Sequence, residues 1–314
     1  MNYAECAEIL RENDDYILIT HIRPDGDTLG SAAALCSALR RLGKRAYLYP
    51  NPEITPKYHK YVKDYLAPEG YEGAYTVAVD VAGEHMLAKG FEGKVKLCID
   101  HHNSNSGYAE KLLLGSAKAS CGELVLELIK LLCTEPSKTE ASLLYIAVST
   151  DCGCFRYANV TAETFAAASE LANAGAEVQK LNFELFRQST KARIMLESLI
   201  CSGLRFEKNG AIVAAMVTNA MLREINATED DCDDIAGIPG RVEGCIVSIV
   251  VRELAEGGCK ASLRSQPCFD CSDVCKRFGG GGHKMASGCT LDTDPETARE
   301  LLIKAVIDAW DTME

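Results

Sequence analysis

The sequence predicts an α/β protein in which a doubly wound, mainly parallel sheet is followed by a smaller α/β domain. In the first half of the chain, short apolar segments rich in β-branched residues alternate with amphipathic segments, which is the pattern of successive strand–helix units. After about residue 186 this alternation gives way to a helical stretch, a series of strand candidates and a run of glycines. The change predicts a boundary between two domains.

Four strands and three helices are predicted in the first domain. The strand at 16–20 is a continuous apolar run, and the helix at 31–42 ends before Gly43, a residue type that commonly stops helices. The remaining strands are predicted at 46–49, 76–81 and 95–100, and the remaining helices at 121–133 and 161–174.

The second half begins with a predicted helix at 189–202, which we interpret as a connector. A last helix is predicted to begin at Asp294 and Pro295, because a capping residue is followed there by a first-turn proline. Strands are predicted between them at 211–218, 245–251 and 260–264. The resulting division is a first domain at 1–186, a helical connector at 187–204 and a second domain at 205–314.

Charge and cysteine content limit the partners and the compartment. The 314 residues carry a net charge of -12 and a pI of about 5.1, which disfavours long duplex nucleic acid. A short anionic substrate held through bound cations fits this charge better. Fifteen cysteines, a start without a leader-like pattern and no apolar stretch of membrane length predict reduced thiols in the cytoplasm and no membrane partner.

Acidic and histidine side chains follow several predicted strands at the point where each strand ends. In an open parallel sheet, ligands bind beyond the carboxyl ends of the strands, so these side chains are expected to meet at one edge. A single Asp-x-Asp turn or His-His pair is usually a surface feature, but repetition at successive strand ends indicates a site. The residues are His21, Asp25 and Asp27 after the first strand, Asp80 in the third, Asp100, His101 and His102 at the fourth, and Asp151 after the apolar run 143–149.

This combination of carboxylates and imidazoles predicts a centre for two divalent cations. Clustered carboxylates repel one another, and bound cations remove that repulsion. Oxygen and nitrogen ligands without thiolate suit Mn²⁺, with Mg²⁺ and Co²⁺ as alternatives, better than a structural zinc site. Two such ions can share a bridging hydroxide as nucleophile and stabilise the attacking and leaving oxygens of a phosphoryl group.

A run of four glycines, 279–282, is followed by His283 and Lys284. Backbone N–H groups in such a run can approach a phosphate closely, and the two side chains add donors beside it. Arg264, at the end of a predicted strand, could bind a further pair of phosphate oxygens. A flexible surface loop is the alternative interpretation.

Three cysteines, Cys268, Cys271 and Cys275, stand just before the glycines and could hold a metal with a further cysteine as fourth ligand. Because no second close pair completes a four-ligand pattern, we favour a packing role for them. The same interpretation applies to Cys152 and Cys154, beside the predicted ligand Asp151.

Several of these segments resemble the motifs of the DHH phosphoesterase superfamily. They are His21-Ile22-Arg23-Pro24-Asp25-Gly26-Asp27-Thr28-Leu29-Gly30-Ser31, Asp80, Asp100-His101-His102 and Asp151, while Gly279 to His283 resembles the signature of the associated DHHA1 domain. The likeness spans nearly the whole chain. It is strongest to the subgroup of bifunctional oligoribonucleases and pAp phosphatases.

The resemblance implies a role for each position. Asp80 would bridge two cations, His102 would face the scissile phosphate, and both would take part in catalysis. Asp100 would orient the histidine pair instead of binding a cation. His21 and Asp25 would hold one cation, Asp27, His101 and Asp151 the other, and Arg264, Gly280, Gly281, Gly282, His283 and Lys284 would hold the substrate across an interdomain cleft.

Two positions depart from the pattern of the family. Asp80 is followed by Val81-Ala82-Gly83-Glu84-His85, where many relatives carry further acidic residues and then an arginine. Asp151 is followed by Cys152, where relatives often have threonine. The first departure affects a group that relatives place beside the metals.

The implied function is hydrolysis of short oligoribonucleotides to nucleoside monophosphates, and of adenosine 3′,5′-bisphosphate to AMP. One alternative is a phosphodiesterase for linear or cyclic dinucleotides such as pApA and c-di-AMP. Another is a non-catalytic nucleotide-binding protein, which the intact set of ligand candidates disfavours. A homodimer is compatible with the resemblance.

Overall fold

A sheet of five parallel strands forms the centre of the first of two units into which the chain divides. This unit is Met1–Gln188 and the second begins at Ser189, in a computed structural model that describes residues 1–312. The last two residues of the predicted domain 205–314 lie outside the described residues. The strands are β1 (Tyr16–Ile19), β2 (Ala46–Leu48), β3 (Tyr75–Val79), β4 (Leu97–Asp100) and β5 (Lys111–Leu114).

The strand order in this sheet is β2-β1-β3-β4-β5. Leu18 of β1 pairs with Leu48 of β2 on one side and with Val77 of β3 on the other. The chain therefore leaves β1 toward one edge of the sheet and builds the remaining strands on the opposite side. In sheets of this topology the crevice beyond the ends of β1 and β3 is the usual place for a ligand.

Helices cover the sheet chiefly on one face, where α2, α4 and α5 contribute most of the buried apolar residues. The contact between α2 and α5 is close, because a Cβ atom at Gly30 would lie 2.4 Å from the carbonyl oxygen of Leu143. The helices are α1 (Tyr3–Glu12), α2 (Gly26–Arg41), α3 (Pro56–Val62), α4 (Cys121–Cys133), α5 (Lys138–Asp151), α6 (Ala162–Asn173) and α7 (Val178–Asn182), with a π-helical turn at Phe183–Arg187.

The predicted α/β fold with a mainly parallel sheet is confirmed, and its four predicted strands correspond to β1–β4. The predicted start of the helix at 31–42 is wrong, because α2 begins at Gly26. The side chain of Asp25 accepts hydrogen bonds from the N–H groups of Asp27 and Thr28 and so caps the helix early. The apolar run 143–149 lies in α5, and α1, α3, α7 and β5 were not predicted.

The second unit contains a six-stranded mixed sheet with the order β10-β11-β9-β8-β7-β6. Of its described pairings, β7 with β8 is parallel and the others are antiparallel. The strands are β6 (Arg205–Glu207), β7 (Ile212–Val217), β8 (Val247–Glu253), β9 (Cys259–Ser265), β10 (Gly281–His283) and β11 (Ala286–Leu291). The helices are α8 (Lys191–Ser202), α9 (Asn219–Glu224), α10 (Cys271–Lys276) and α11 (Pro295–Asp311).

Both faces of this sheet carry apolar clusters. On one face, Leu263 packs with residues of α10 and α11 such as Leu302. On the other, Leu196 and Ile200 of α8 pack against β7 and β8. The helix predicted as a connector is therefore part of the core of the second unit. The predicted start of the last helix is confirmed, since Asp294 caps α11.

All fifteen cysteines are free thiols. Eleven are buried, two are half-buried, and Cys201 and Cys268 are exposed. Cys271 and Cys275 lie in the apolar core of the second unit, in agreement with a packing role. None of the helices formed by residues 1–312 has both the length and the apolar character needed to cross a membrane.

Candidate metal centre

The polar residues at the carboxyl ends of the parallel strands converge into three overlapping groups of candidate metal ligands. Within each group, the ligand atoms lie within 4.8 Å of one another. The groups are His21, Asp25 and Asp80; Asp27, His101 and Asp151; and Asp80, His101 and His102. The fold thus brings together all six predicted ligands, and Asp80 belongs to two of the groups.

Asp80 lies between two histidines. Its Oδ2 atom is 3.8 Å from Nε2 of His21, and its Oδ1 atom is 3.4 Å from Nε2 of His101. The residue follows β3 with a left-handed backbone, φ 62°, and its side chain is 3% exposed. Such a backbone is uncommon outside glycine and persists where the surrounding structure fixes it, often at functional sites. A carboxylate with one oxygen toward each histidine is suited to bridge two cations.

The two histidines present the same ring nitrogen to the centre. Nδ1 of His21 is 2.8 Å from the carbonyl oxygen of Ile22, and Nδ1 of His101 is 3.2 Å from that of Lys118. Because a carbonyl oxygen only accepts, each Nδ1 carries the proton in this contact and each Nε2 keeps a lone pair. Metal-binding histidines are commonly oriented in this way.

Asp27 is held by the N-terminus of α4. Its Oδ2 atom accepts a hydrogen bond from the N–H of Cys121 at 2.7 Å, and its Oδ1 atom accepts from the N–H of Gly122 at 2.9 Å and from Ser31 Oγ at 3.0 Å. The free N–H groups and the dipole of a helix N-terminus favour a carboxylate there. Asp27 Oδ2 also lies 3.7 Å from Nε2 of His101, so the buried carboxylate stays directed at the centre.

Asp151 reaches the centre from the last turn of α5 instead of from a strand. Its Oδ2 atom is 3.6 Å from Nε2 of His101, and its side chain is 28% exposed. Asn159 donates a hydrogen bond from Nδ2 to the backbone oxygen of Asp151 at 3.2 Å and so ties the following loop to it. On the other side, Asp25 Oδ1 lies 3.6 Å from Nε2 of His21.

Asp100 orients the histidine pair. Its Oδ1 atom accepts from the N–H of His101 at 2.8 Å, from the N–H of His102 at 3.2 Å and from Nδ1 of His102 at 2.8 Å, and its Oδ2 atom accepts from Asn105 Nδ2 at 2.6 Å. The carboxylate is fully buried, and these bonds use both of its oxygens. The hydrogen bond to Asp100 raises the pKa of His102, whose side chain is 41% exposed.

Positive charge would stabilise the clustered carboxylates of the centre. Burial, and then the neighbouring carboxylates, raise the pKa of Asp27 and of Asp80 well above the usual 3.8. Among residues 1–312, Asp80 Oδ1 and His101 Nε2 are buried without a hydrogen-bond partner. Buried polar atoms are rarely left unsatisfied, and a cation would satisfy both and remove the carboxylate repulsion. The donor set of carboxylate oxygens and imidazole nitrogens therefore fits divalent cations.

The predicted substrate residues lie in the second unit, on β9 and β10 and directly on either side of β10. Arg264 of β9 pairs with Ala286 of β11, which pairs with His283 of β10, so Arg264 and His283 lie on the same face. Both are exposed, as is Lys284.

The backbone of the glycine run is largely engaged in hydrogen bonds and strand pairing. The N–H groups of Gly279 and Gly280 donate to the carbonyl oxygens of Lys276 and Cys275, so the prediction that they face a phosphate is wrong for these two. Gly281 and Gly282 form β10 and pair with β11. A close backbone approach explains Gly280 and Gly282, since a Cβ atom would lie 2.2 Å from the carbonyl oxygen of Gly288 at the first and 2.6 Å from that of Ala286 at the second.

Several residues that support the centre were not predicted from the sequence. The N-terminus of α4 could have been recognised as an anion site, because Ser120 is a capping residue directly before it. Asn105 carried no such signal, since its contact with Asp100 depends on the path of the loop after β4. The candidate metal groups in the described part of the chain contain no cysteine.

Comparison with known proteins adds the following findings. The profile of the DHH family, N-terminal domain, matches residues 15–148, and that of the DHHA1 domain matches residues 209–310. The bifunctional oligoribonuclease and PAP phosphatase NrnA of Thermus thermophilus is 35% identical over 310 residues, covering 96% of this chain and 92% of that protein. The probable bifunctional oligoribonuclease and PAP phosphatase NrnA of Streptococcus mutans is 27% identical, covering 89% and 90%.

A solved structure has the same fold. The exopolyphosphatase-related protein of Bacteroides fragilis superposes with a TM-score of 0.86 at 23% sequence identity, covering 98% of this chain and 96% of the other. At this identity, the likeness supports the fold alone. The chemistry is inferred from the residues of the centre.

Proposed function

The chain belongs to the DHH family, and on that premise we propose that it is a metal-dependent hydrolase of phosphoric esters. Its proposed substrates are short oligoribonucleotides, cleaved to nucleoside monophosphates, and adenosine 3′,5′-bisphosphate, converted to AMP. The single observation that carries the proposal is the buried carboxylate of Asp80 between His21 and His101, with three further carboxylates in contact with these two histidines. The activities named for the two NrnA relatives support the choice of substrates.

Two divalent cations are the proposed cofactors, with Mn²⁺ preferred and Mg²⁺ or Co²⁺ as alternatives. Such cations, when bound, neutralise charge on a phosphoryl group and generate the nucleophile from water. His21 and Asp25 would hold one, Asp27, His101 and Asp151 the other, and Asp80 both. This division follows the contacts of each carboxylate with its nearest histidine.

His102 is the proposed acid or charge-stabilising group. With Nδ1 held by Asp100, its ring is fixed and Nε2 remains to donate a hydrogen bond to a phosphate oxygen. The raised pKa of His102 favours the protonated ring, which suits a donor to an anionic group. Asp100 acts through this histidine and through the backbone that carries His101.

Arg264, His283 and Lys284 are the proposed binding groups for the terminal phosphate of the substrate. They are exposed, and Arg264 and His283 share one face of the second sheet. The N–H groups of arginine, lysine and histidine side chains donate hydrogen bonds to phosphate oxygens. The net charge of -12 over the whole chain favours substrates short enough to meet only these groups and the cations.

A cytoplasmic location and a homodimer are further parts of the proposal. Fifteen cysteines without a disulfide support a reducing compartment. The homodimer rests on resemblance alone and would be checked by light scattering.

Hydrolysis of a substrate panel tests the proposed function. Protein stripped with a chelator would be assayed, with and without Mn²⁺, on adenosine 3′,5′-bisphosphate, pApA, c-di-AMP, RNA of a few nucleotides and long duplex DNA. We expect Mn²⁺-dependent release of phosphate or mononucleotide from the bisphosphate and the short RNAs. Preference for c-di-AMP would support the dinucleotide alternative. Absence of turnover on every compound would contradict the proposal in favour of a binding protein.

A further inference from the structure

An exposed pair of aromatic rings lies in the first unit. The rings of Phe155 and Phe165 are stacked, with centroids 5.4 Å apart and planes inclined by 19°. Phe155 is partly buried and packs on the main core, whereas Phe165 is 56% exposed. One ring is therefore anchored while the other presents its surface to solvent. The exposed surface of Phe165 contributes less to stability than a buried ring would and remains free to contact a ligand.

The backbone that carries Phe155 is held in an unusual conformation. Gly153, Cys154 and Phe155 have successive positive φ angles of 57°, 56° and 63°. The turn is fixed by a hydrogen bond from the N–H of Phe155 to Sγ of Cys152 at 3.2 Å. Non-glycine residues rarely adopt this region, and they do so where the surrounding structure determines it. The position of the Phe155 ring is thus specified by the loop and not left to its side-chain rotamer alone.

Both rings are connected to residues of the candidate metal centre. Phe155 lies four residues after Asp151, on the loop that Asn159 ties back to the Asp151 backbone. At the other ring, Thr164 precedes Phe165 and donates its hydroxyl to Glu123 Oε1 at 2.9 Å. Glu123 follows the two residues whose N–H groups hold Asp27. The pair is therefore attached to Asp151 and Asp27, which belong to the same candidate group.

We propose that Phe155 and Phe165 form a stacking platform for a nucleobase of the substrate. The inference rests on the proposed function and adds a recognition site for the base, whereas the cations and basic groups recognise phosphate. Every base has a π-face, so an aromatic surface binds bases without strong sequence preference. That property suits an enzyme whose substrates are short RNAs of any sequence.

Paired ligands that differ only in the base test the platform. The first pair is AMP and ribose 5-phosphate, whose binding would be measured by calorimetry in the presence of Mn²⁺. The second pair is pApA and the same compound with one base removed, whose KM and kcat would be measured. The variants are Phe165→Ala and Phe165→Trp. Phe183→Ala is the matched control, because Phe183 is also exposed, 52%, in the π-helical turn of the same unit.

We expect Phe165→Ala to weaken AMP binding and to raise the KM for pApA about tenfold, equivalent to ~1.4 kcal/mol. Binding of ribose 5-phosphate, kcat and the number of bound Mn²⁺ ions should stay at wild-type values. Phe165→Trp should retain AMP affinity, because indole offers a larger stacking surface. Phe183→Ala should match the wild-type protein in every assay.

The failures of the platform and of the proposed function are distinguishable. If Phe165→Ala weakens binding of both members of a pair equally, or of neither, the platform is overturned and the proposed hydrolase function is unaffected. Equal loss accompanied by a change in oligomeric state would overturn it in favour of a contact with a second copy of the chain. Base-dependent binding that needs Phe165 would support the platform even in a protein without turnover.

Discussion

The candidate functional residues of the two units differ in burial and in the partners available to their polar atoms. In the first unit, Asp27 and Asp80 are buried, and Asp80 Oδ1 has no hydrogen-bond partner within residues 1–312. In the second, Arg264, His283 and Lys284 are exposed to water. Clustered buried carboxylates are ionised together only beside a counter-charge, whereas exposed basic groups are hydrated and need no ligand. The buried carboxylates of the first unit therefore select a cation, whereas the exposed basic groups of the second unit could bind many different anions.

Sheet topology explains part of this difference. Parallel strands end at the same edge, so β1, β3 and β4 bring residues from distant parts of the sequence to one point. In the second unit, the antiparallel pairing of β10, β11 and β9 places His283 and Arg264 on one face of the sheet, with Ala286 of β11 between them. The first arrangement depends on the whole core, and the second on three strands at one end of a sheet. Substitutions in the two units should consequently differ in size and in kind.

Replacing the shared carboxylate should produce the largest effect. Asp80→Asn keeps the volume and tolerates the left-handed backbone, but it removes the charge between the two histidines. We expect activity to fall by roughly 10³-fold or more, as for removal of a central catalytic group. Calorimetric Mn²⁺ titration should show loss of at least one bound ion. Asp231→Asn is the control, because that buried carboxylate of the second unit accepts its bonds from Thr190 and Thr228. Retention of both ions by Asp80→Asn at wild-type affinity would contradict the bridging role.

Adding a methyl group at Gly30 should mainly affect stability. The new Cβ atom would lie 2.4 Å from the carbonyl oxygen of Leu143, so α2 and α5 would have to separate. We expect the free energy of unfolding to fall by about 2–3 kcal/mol, within the range for overpacked cores. Gly281→Ala is the matched control in the second unit, because no atom lies within 4 Å of the added group. Urea denaturation would measure both, and equal stability of the two variants would contradict the close helix contact.

Removing the charge of Asp100 should have an intermediate effect. Asp100→Asn retains one acceptor oxygen but weakens the bonds that fix His101 and His102. Substitutions of residues that orient metal ligands typically cost 10- to 100-fold, and we expect kcat to fall by about that factor. Mn²⁺ stoichiometry should remain at two while affinity declines. A variant with unchanged kcat and Mn²⁺ affinity would show that the histidine pair needs no such support.

Substitution in the second unit should give the smallest effect. Arg264→Ala is expected to raise the KM for adenosine 3′,5′-bisphosphate about tenfold, the size of one charge-assisted hydrogen bond. Bound Mn²⁺ should be unaffected. Lys304→Ala removes an equal charge from the exposed side of α11, which packs on the opposite face of the sheet, and should leave KM unchanged. Loss of Mn²⁺ in Arg264→Ala would contradict the separation of metal binding from substrate binding.

The sequence predicted the convergence of the ligands because strand ends can be recognised from short apolar runs. Asp80 and Asp100 lie where such runs stop, and parallel pairing then determines the edge they share. The early start of α2 was missed because capping by Asp25 depends on which N–H groups its carboxylate reaches. The pairing of the glycine run with β11 was missed because glycine is depleted in strands, so the residues gave no signal for the tight hairpin around Lys284 and Met285.

The distribution of thiols gives the molecule internal reporters of local opening. Cys201 and Cys268 are accessible in the folded chain, whereas buried thiols such as Cys36 and Cys259 occupy the separate cores of the two units. A buried thiol reacts with an alkylating reagent only when the structure around it opens. Pulsed alkylation followed by mass spectrometry would therefore rank the opening free energies of the two cores in the unmodified protein, without an introduced label.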